Sequence, residues 1–592
     1  MTDAPATDIG RRRLRESVLA ISWAAGAASG LARFGWRLGP TADAAWLWVL
    51  AAAVSIAALG LLLRLLQAPT GRAAASFTLL AALASGFTLA QVSPSSWVAG
   101  HVRSARLDIV LPLLLAVLGL GEMVALVVER VRERIRRGEG SPVTPTQIFL
   151  LSFLVVILLG ASSLMLPRSQ SPGAEVVGWV DCVFTSTSAV CVTGLATFDV
   201  GSRLSFGGQG VLLVLIQIGG LGIMTYAAFF SLLLGRGMAA SQQTLMREMV
   251  TSRFAAGLRK AVLAIVGLTL ALEAGGAALL YAAGVDSSGQ GQLAGGGRVW
   301  ASAFHAVSAF CNAGFALWPA NLMTFDRRPL VLGTIAGLVV LGGLGFTVLI
   351  DLGSWMARRR VGDLPPRFAR LALHTRIVVL TSAVLLLVGA AGFLACEWNG
   401  TLAGYGWGHR VSNALFHSAI SRTAGFNAID MGRVGEPGLL LTIGLMFIGA
   451  SPGSTGGGIK TTTLVVLIAA IRALAVNREA VHVLGRSLAA RVVKTALVLF
   501  ALGTTAVFVG TLSLSVLEPE IPALKLAFEA VSALGTVGLS TGITAGLCPA
   551  SKLVLCVLMF VGRVGPVTLL FSMAGAAQAA RYEYAEEDVL VG

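Results

Sequence analysis

The stretch FEAVSALGTVGL, at residues 528–539, has three relatives earlier in the same chain. They are FTSTSAVCVTGL at 184–195, FHAVSAFCNAGF at 304–315 and FHSAISRTAGF at 416–426. Each motif begins with Phe, continues through small and hydroxyl-bearing residues, and ends with Gly followed by a bulky apolar residue. The four glycines are separated by 111 to 120 residues. A shared motif at a nearly constant spacing indicates an internal repeat, and this repeat decides the fold.

The composition predicts that the repeats lie in a membrane. Of the 592 residues, 56% are hydrophobic and only 12% are charged, whereas a soluble globular protein has about 25% charged residues. The net charge of +15 comes from arginines concentrated in short stretches between apolar runs. That distribution is typical of cytoplasmic loops of membrane proteins, and it argues against a nucleic-acid interface.

Two apolar runs flank each motif, and most are long enough to span a membrane, which takes about 20 residues in a helix. The eight runs are 147–166, 207–234, 259–284, 328–356, 372–396, 437–475, 489–517 and 551–580. The apolar part of each motif is too short to cross. We therefore predict a re-entrant half-helix followed by extended backbone, which is tolerated at membrane depth only inside protein or along a watery path.

Charge sets the predicted orientation of the repeats. Four stretches carry five, five, six and five Lys or Arg residues, namely 129–146, 235–260, 357–376 and 471–494. These stretches are predicted to be cytoplasmic, so that all four motifs face outward and the repeats are parallel. The expected fold is an all-α polytopic membrane protein. Four helix–re-entrant pore loop–helix repeats would stand pseudo-four-fold around one central pore.

The predicted domains follow from these repeats. Residues 1–140 comprise extra N-terminal transmembrane helices, with candidates at 17–32, 44–66, 74–92 and 108–128, and a basic cytoplasmic linker. The pore repeats are assigned to 141–240, 241–357, 358–484 and 485–592, the last including the C-terminal tail.

Four residues at the end of each motif are predicted to form a selectivity filter that binds K⁺ through backbone carbonyls. They are Val192-Thr193-Gly194-Leu195, Asn312-Ala313-Gly314-Phe315, Thr423-Ala424-Gly425-Phe426 and Thr536-Val537-Gly538-Leu539. Each is similar to the TVGYG signature of potassium channels, in which carbonyls from four loops replace the hydration shell of the ion. No tetrad holds a carboxylate, which favours a monovalent cation. The alternative is four glycine turns that only pack helices closely.

A second candidate element is GASPGSTGGGIKTTT at 449–463, inside the apolar run of the third repeat. Proline and repeated glycine cannot continue a stable helix, so we predict a broken helix with a gating loop in the permeation path. Its candidate gate residues are Gly453, Ser454, Thr455, Gly456, Gly457, Gly458 and Lys460. A phosphate-binding loop is disfavoured because Ile459 separates the last Gly from Lys460. A helix kink without function is the other reading.

Several single residues complete the predictions. Arg563, in VGRVGP, is the last candidate gate residue, either as an electrostatic barrier below the filter or as a tether for the loop, because a charge at membrane depth is usually functional. The glycine patterns at 218–222 and 341–345 are expected to mark bends and close packing. His305, His417 and Glu529 each follow the Phe of a motif and are expected to form local hydrogen bonds rather than bind metal.

On these motifs, on Arg563 and on the tail YEYAEEDVLVG at 582–592, the chain resembles the Trk/Ktr/HKT superfamily of potassium transporters, and within it the Ktr membrane subunits (KtrB). The resemblance runs from about residue 145 to the end. It implies a multi-pass protein of the cytoplasmic (inner) membrane, a homodimer, and a cytosolic nucleotide-binding regulatory subunit of the KtrA/TrkA type. K⁺ would be the substrate, and a nucleotide is expected on that partner rather than on this chain.

Two other classes of function remain to be weighed. A sodium- or proton-coupled secondary cation carrier is the main alternative, although inverted repeats would alternate in orientation and these repeats are predicted to be parallel. An intramembrane enzyme is disfavoured because the sequence shows no Ser/His or metal-ligand constellation, so the chain is predicted not to be an enzyme.

Overall fold

The computed structural model describes residues 145–234, 258–285, 297–360, 371–478 and 480–565. The candidate N-terminal helices lie outside the described residues, as do the tail and the end of the last apolar run. What is described is almost entirely helical, as expected for a polytopic membrane protein.

Each predicted repeat contains a long first helix, a short helix at the motif, and a second helix or helix pair. In the first repeat these are α1 (Pro145–Met165), α2 (Trp179–Val190), the single turn α3 (Val200–Arg203) and α4 (Phe206–Leu234). In the second they are α5 (Leu258–Ala282), α6 (Gly297–Phe310), α7 (Pro329–Leu344) and α8 (Phe346–Arg360). The third has α9 (Leu373–Glu397), α10 (Trp407–Ile420), α11 (Glu436–Phe447) and α12 (Thr461–Ala475). The fourth has α13 (Ala490–Leu517), α14 (Ala523–Gly535) and α15 (Pro549–Val564).

A two-stranded antiparallel hairpin joins the last two repeats, with β1 at His482–Val483 and β2 at Arg486–Ser487. Short 3₁₀ turns at Met323–Phe325, Met431–Arg433 and Thr544–Gly546 follow motifs two, three and four.

The short helices α2, α6, α10 and α14 have 12 to 14 residues. They begin five to nine residues before the Phe of the motif, so the motif supplies only their second half. The four phenylalanines are Phe184, Phe304, Phe416 and Phe528, and all are buried in the core. Burying a large aromatic side chain in this position fixes which face of each short helix points inward.

The glycine patterns behave differently in the first two repeats. At 341–345 the expected bend is present: α7 and α8 meet at Gly345, which has a φ of 91°, and their axes differ by 102°. At 218–222 the expected bend is absent, because α4 continues through the pattern. There Gly219 and Gly220 instead lie directly against the second halves of motifs one and two, where a Cβ would overlap Val190 and Cys311.

The repeats pack in a cyclic order. The second helix of each repeat packs against the short helix of the next, as α4 does with α6, α7 with α10, α11 with α14, and α15 with α2. The last of these contacts returns from the fourth repeat to the first. Each short helix is therefore packed between helices of its own repeat and the second helix of the preceding one.

Outward-facing apolar side chains mark the surface that meets lipid. On α9, Leu380, Val384 and Leu387 lie on one face, and Leu387 is 63% exposed. Exposed apolar stripes of this kind are stable in hydrocarbon and costly in water. Three described helices, Ala264–Ala282, Leu373–Glu397 and Ala490–Leu517, are long and apolar enough to cross a membrane, and there are four if the bent pair α7–α8 is counted as one span.

Candidate functional site

The four tetrads share an unusual backbone conformation. Their first and third residues all have positive φ. The first residues are Val192 (57°), Asn312 (60°), Thr423 (91°) and Thr536 (49°), and the third residues are Gly194 (94°), Gly314 (70°), Gly425 (66°) and Gly538 (91°). Positive φ is a true outlier for the β-branched Val and Thr residues. Such strain costs on the order of 1–3 kcal/mol at each position and persists only where the surrounding structure imposes it.

The third residues lie against one another in a closed cycle, which we call the glycine ring (Gly194, Gly314, Gly425 and Gly538). A Cβ on each glycine would come closer than 3.0 Å to the carbonyl oxygen that precedes the glycine of another tetrad. These oxygens belong, in turn, to Ala313, Ala424, Val537 and Thr193. Real Cβ atoms essentially never approach so closely, so a side chain at any position in the ring would force the backbone to shift.

The chain enters the glycine ring directly after the carboxyl end of each short helix. In repeats one, two and four the backbone N–H of the second tetrad residue donates to the carbonyl five residues earlier, at 2.7–2.8 Å, and that carbonyl belongs to Ser188, Ser308 or Ser532. The hydroxyls of Ser188 and Ser532 also accept from the N–H of Gly194 and Gly538. Helix carboxyl ends carry partial negative charge, so four of them create a field that favours a cation.

Repeat three departs from this pattern. Its motif is one residue shorter, so Ala419 stands where the other motifs have Ser, and the N–H of Ala424 donates to Ile420 O at 3.0 Å. The neighbouring repeat compensates through side chains. With its amide oriented to satisfy all partners, Asn312 accepts from Thr423 Oγ1 at 3.0 Å and donates to the carbonyls of Val339 and Ala309 at 3.2 Å.

The residues that follow the motif phenylalanines form local hydrogen bonds, as predicted. His305 Nδ1 bonds to Ala301 O at 2.7 Å, which leaves Nε2 to accept from Leu317 N at 3.2 Å. Glu529 accepts from Thr541 N and from the hydroxyls of Ser540 and Thr544. Both residues thus hold in place, by hydrogen bonds, the extended backbone that follows their tetrads.

His417 has a different set of partners. Its Nε2 lies 3.0 Å from Thr442 Oγ1 on α11, and its ring stacks on Phe393 of α9. It therefore ties the short helix α10 to α9 and α11 of its own repeat. Within the described residues, no group of three or more His, Cys, Asp or Glu side chains could hold a metal ion.

The break between α11 and α12 is a compact loop at 448–460, which we call the intramembrane loop. It closes on itself through Gly449 N to Ile459 O at 2.8 Å and Ala450 N to Gly457 O at 3.3 Å. It also reaches repeat two, where Ser451 N donates to Gly343 O and Phe346 N donates to Gly453 O, both at 3.0 Å. Its anchorage therefore depends on the kink at Gly345, which exposes those backbone groups.

The intramembrane loop touches the tetrads directly. Gly457 N donates to Thr536 Oγ1 at 2.9 Å, and Thr455 Oγ1 donates to Phe310 O, at the end of α6, at 3.3 Å. A Cβ on Gly456 would overlap Thr423. The loop thus lies against the first residues of tetrads three and four, on the side from which α14 and α10 arrive.

Two cationic side chains hold this loop. Lys460 Nζ donates to the carbonyls of Gly456 and Gly457 at 2.8 and 3.0 Å, so it binds the loop itself instead of projecting away from it. Arg563 is only 3% exposed and donates to Thr455 O on the loop and to Gly219 O on α4. These contacts favour a tether over a free electrostatic barrier.

Sequence reasoning missed the partners of three carboxylates, one of which joins two repeats while the other two act within a single repeat. Asp181 on α2 pairs with Lys552 on α15 at 2.8 Å, which joins repeat one to repeat four. Glu518 accepts from Cys548 N at 2.7 Å, and this hydrogen bond lowers the pKa of its carboxyl group below the usual value. Glu397 accepts equivalently from Gly435 N in repeat three. The shared position of Glu397 and Glu518, at the end of a first helix, was the available signal.

Comparisons with known proteins match this architecture. The family of cation transport proteins named TrkH matches residues 138–581. The Ktr system potassium uptake protein B of Bacillus subtilis is 35% identical over 451 residues, which cover 76% of this chain and 97% of that protein. The potassium/sodium uptake protein NtpJ of Enterococcus hirae is 34% identical over 470 residues, covering 78% of this chain and 99% of that protein.

A solved structure agrees at the level of the fold. The crystal structure of the potassium transporter TrkH from Vibrio parahaemolyticus superposes with a TM-score of 0.59 at 19% identity, covering 83% of this chain and 95% of that one. The family match confirms a membrane transport protein and not an enzyme. From its sequence, its helices and these relatives, the chain belongs to the TrkH family of cation transport proteins, in the Trk/Ktr superfamily.

Proposed function

We propose that this chain is the ion-conducting subunit of a Ktr/Trk-type system that takes up K⁺ across the cytoplasmic membrane, with the glycine ring as its selectivity filter. The observation that carries the proposal is the closed cycle of four glycines, each against a carbonyl of another tetrad, with positive φ at the same two positions every time. Four glycine turns that only packed helices would have no reason to meet one another.

The chemistry of the ring suits potassium. Carbonyl oxygens from four strands can replace the hydration shell of a monovalent ion, whereas a divalent ion would require charged ligands to offset its dehydration. The tetrads supply such oxygens without any carboxylate. In this proposal the four repeats stand pseudo-four-fold and parallel around one central pore, and K⁺ is the substrate, with no cofactor on this chain.

The intramembrane loop is the proposed gate. It rests against Thr423 and Thr536 of the tetrads and is pinned by Arg563 and Lys460. An ion leaving the ring toward that side would meet the loop first. Opening would require the loop to give up its hydrogen bonds to the end of α6, to α7, α8 and α15, and to Thr536, which a regulatory subunit could drive.

The proposed partners are a second copy of this chain and a cytosolic nucleotide-binding subunit of the KtrA/TrkA type. The support is the name of the Bacillus subtilis relative, which describes one component of a potassium uptake system. The basic stretch that includes the β1–β2 hairpin would lie on the cytoplasmic side, where such a subunit could reach it.

Growth rescue tests the function. A bacterium that lacks potassium uptake should grow at limiting K⁺ when it expresses this chain with a nucleotide-binding regulatory subunit, and the Gly314→Ser variant should rescue poorly. If neither the wild-type chain nor the Gly314→Ser variant rescues growth although both reach the membrane, the proposal is wrong. In proteoliposomes, K⁺ accumulation driven by a Na⁺ or proton gradient alone would instead establish the coupled carrier.

A further inference from the structure

A buried carboxyl group on α5 has no part in the functions described so far. Glu273 is 5% exposed and lies in the middle of an apolar helix. An ionisable side chain at membrane depth is costly and is usually retained for a functional reason. Its surroundings therefore indicate what it does.

Glu273 belongs to a small polar cluster at the junction of repeats one and two. Gln217 on α4 donates through Nε2 to Glu273 Oε2 at 3.4 Å, and the thiol of Cys311 donates to Glu273 Oε1 at 3.7 Å. Cys311 Sγ also lies 3.8 Å from Gln217 Oε1. Among the described residues these are its hydrogen-bond partners, and no cationic side chain there forms an ion pair with it.

Cys311 connects this cluster to the glycine ring. It is the residue directly before Asn312, the first residue of tetrad two, whose φ is 60°. The thiol has little freedom, because a Cβ on Gly220 of α4 would lie 2.5 Å from Cys311 Sγ. The thiol is thus tightly packed one residue before Asn312, whose side chain in turn bonds to Thr423 of the next tetrad.

We propose that Glu273 is a positioning residue for the filter. By accepting from Cys311 and Gln217, it holds tetrad two in its strained conformation and so contributes to the discrimination of K⁺ from Na⁺. This inference rests on the proposed function of the glycine ring. Strained backbone needs support from its surroundings. Without Glu273 the Gln217 amide would lose this acceptor, and the Cys311 thiol would keep only Gln217 Oε1.

The chain offers a matched control. Glu397 is also a buried carboxylate on a first helix, but it accepts from Thr401 and from Gly435 N, away from the ring. Glu397→Ala should therefore destabilise the protein without changing its selectivity. Thr269 lies one turn before Glu273, and its buried hydroxyl has no hydrogen-bond partner, so Thr269→Val tests whether α5 tolerates a small change.

The experiment measures the K⁺/Na⁺ flux ratio of the purified full-length protein in proteoliposomes. Glu273→Ala should lower the ratio about five- to tenfold, as expected for the loss of buried hydrogen bonds. Glu273→Gln should lower it less, because its amide oxygen still accepts from Gln217. In a Cys311→Ala background, Glu273→Ala should add little further change. The missing thiol has already removed the contact between Glu273 and the residue before Asn312.

The outcomes separate this inference from the proposed function. If Gly314→Ser lowers the ratio while Glu273→Ala and Glu273→Gln leave it at the wild-type value, the positioning role is wrong and the filter stands. If Gly314→Ser also has no effect, the filter itself is wrong. Equal losses in Glu273→Ala and Glu397→Ala, or strictly additive effects of the Glu273 and Cys311 changes, would make Glu273 merely structural. Should Glu273→Ala not fold, Glu273→Gln with Cys311→Ala gives the same cycle.

Discussion

The glycine ring and the intramembrane loop are built on opposite principles. The ring repeats one backbone device four times, with positive φ at the same two positions and a carbonyl contact at each glycine. The loop occurs in one repeat, and its hydrogen-bond partners come from the end of α6, from α7, α8 and α15, and from tetrad four. In the proposed function, the conducting element is shared by four repeats, whereas the gate belongs to one of them.

The strongest test of this contrast alters the ring. Gly194→Ser places a Cβ against Ala313 O and a side chain at a φ of 94°. We expect the K⁺/Na⁺ flux ratio to fall at least about tenfold, since strain of about 1–3 kcal/mol must be relieved by moving the carbonyls. Gly210→Ser on α4 is the control, because a Cβ there meets nothing within 4 Å. An unchanged ratio in Gly194→Ser would contradict the filter assignment.

The second test alters only the loop. Shortening 450–458 should raise K⁺ flux severalfold or free it from the regulatory subunit, because the obstruction against Thr423 and Thr536 is removed. The K⁺/Na⁺ ratio should remain that of the wild type, since the ring does not depend on the loop for its backbone. A flux and a regulation that both match the wild type would remove the gate proposal.

A third test addresses the tether. Arg563→Ala removes the hydrogen bonds to Thr455 O and Gly219 O, so the loop should open more readily and flux should rise about two- to fivefold, as a difference of roughly 1 kcal/mol implies. Arg563→Lys should show a smaller rise, and the exposed Arg433→Ala should show none. Wild-type transport kinetics in Arg563→Ala would make the arginine purely structural.

A fourth, smaller effect is expected where ring and loop meet. Thr536→Val keeps the shape of the side chain but removes the acceptor for Gly457 N. Flux should rise about twofold through partial release of the loop, measured in the same proteoliposomes. If selectivity changed and flux did not, Thr536 would serve the ring alone.

The smallest effect concerns the junction of repeats four and one. Asp181→Asn breaks the ion pair with Lys552, which is partly accessible to solvent, so it should lower stability by about 1 kcal/mol or less. Thermal unfolding of the purified protein measures this, and transport should be unaltered. A large loss of flux would show that the pair shapes the ion path.

Sequence periodicity was sufficient for the elements that repeat. The helical character of the apolar runs, the broken helix predicted at 449–463 and the bend at 341–345 follow from apolar run length and from glycine and proline. The bend expected at 218–222 was wrong because IGGLG and LGGLG look alike locally, yet Gly219 and Gly220 serve close packing against Val190 and Cys311. Such a distinction depends on residues outside the pattern, 29 positions away for Val190 and 91 for Cys311, which no local pattern reports.

The site was less predictable than the fold. The tetrads could be named from their spacing, and the polar roles of His305 and Glu529 from their shared position. The cluster of Gln217, Glu273 and Cys311 could not, because its members come from three helices and share no motif. The part of Lys460 as a clamp on its own loop also depends on the folded turn.

The central claim is that the four tetrads surround a bound alkali cation. Crystals of the protein grown in Rb⁺ or Tl⁺ should show an anomalous peak inside the glycine ring, equidistant from carbonyls of all four tetrads. A strong peak elsewhere in the molecule, with none among the tetrads at saturating ion, would contradict the account.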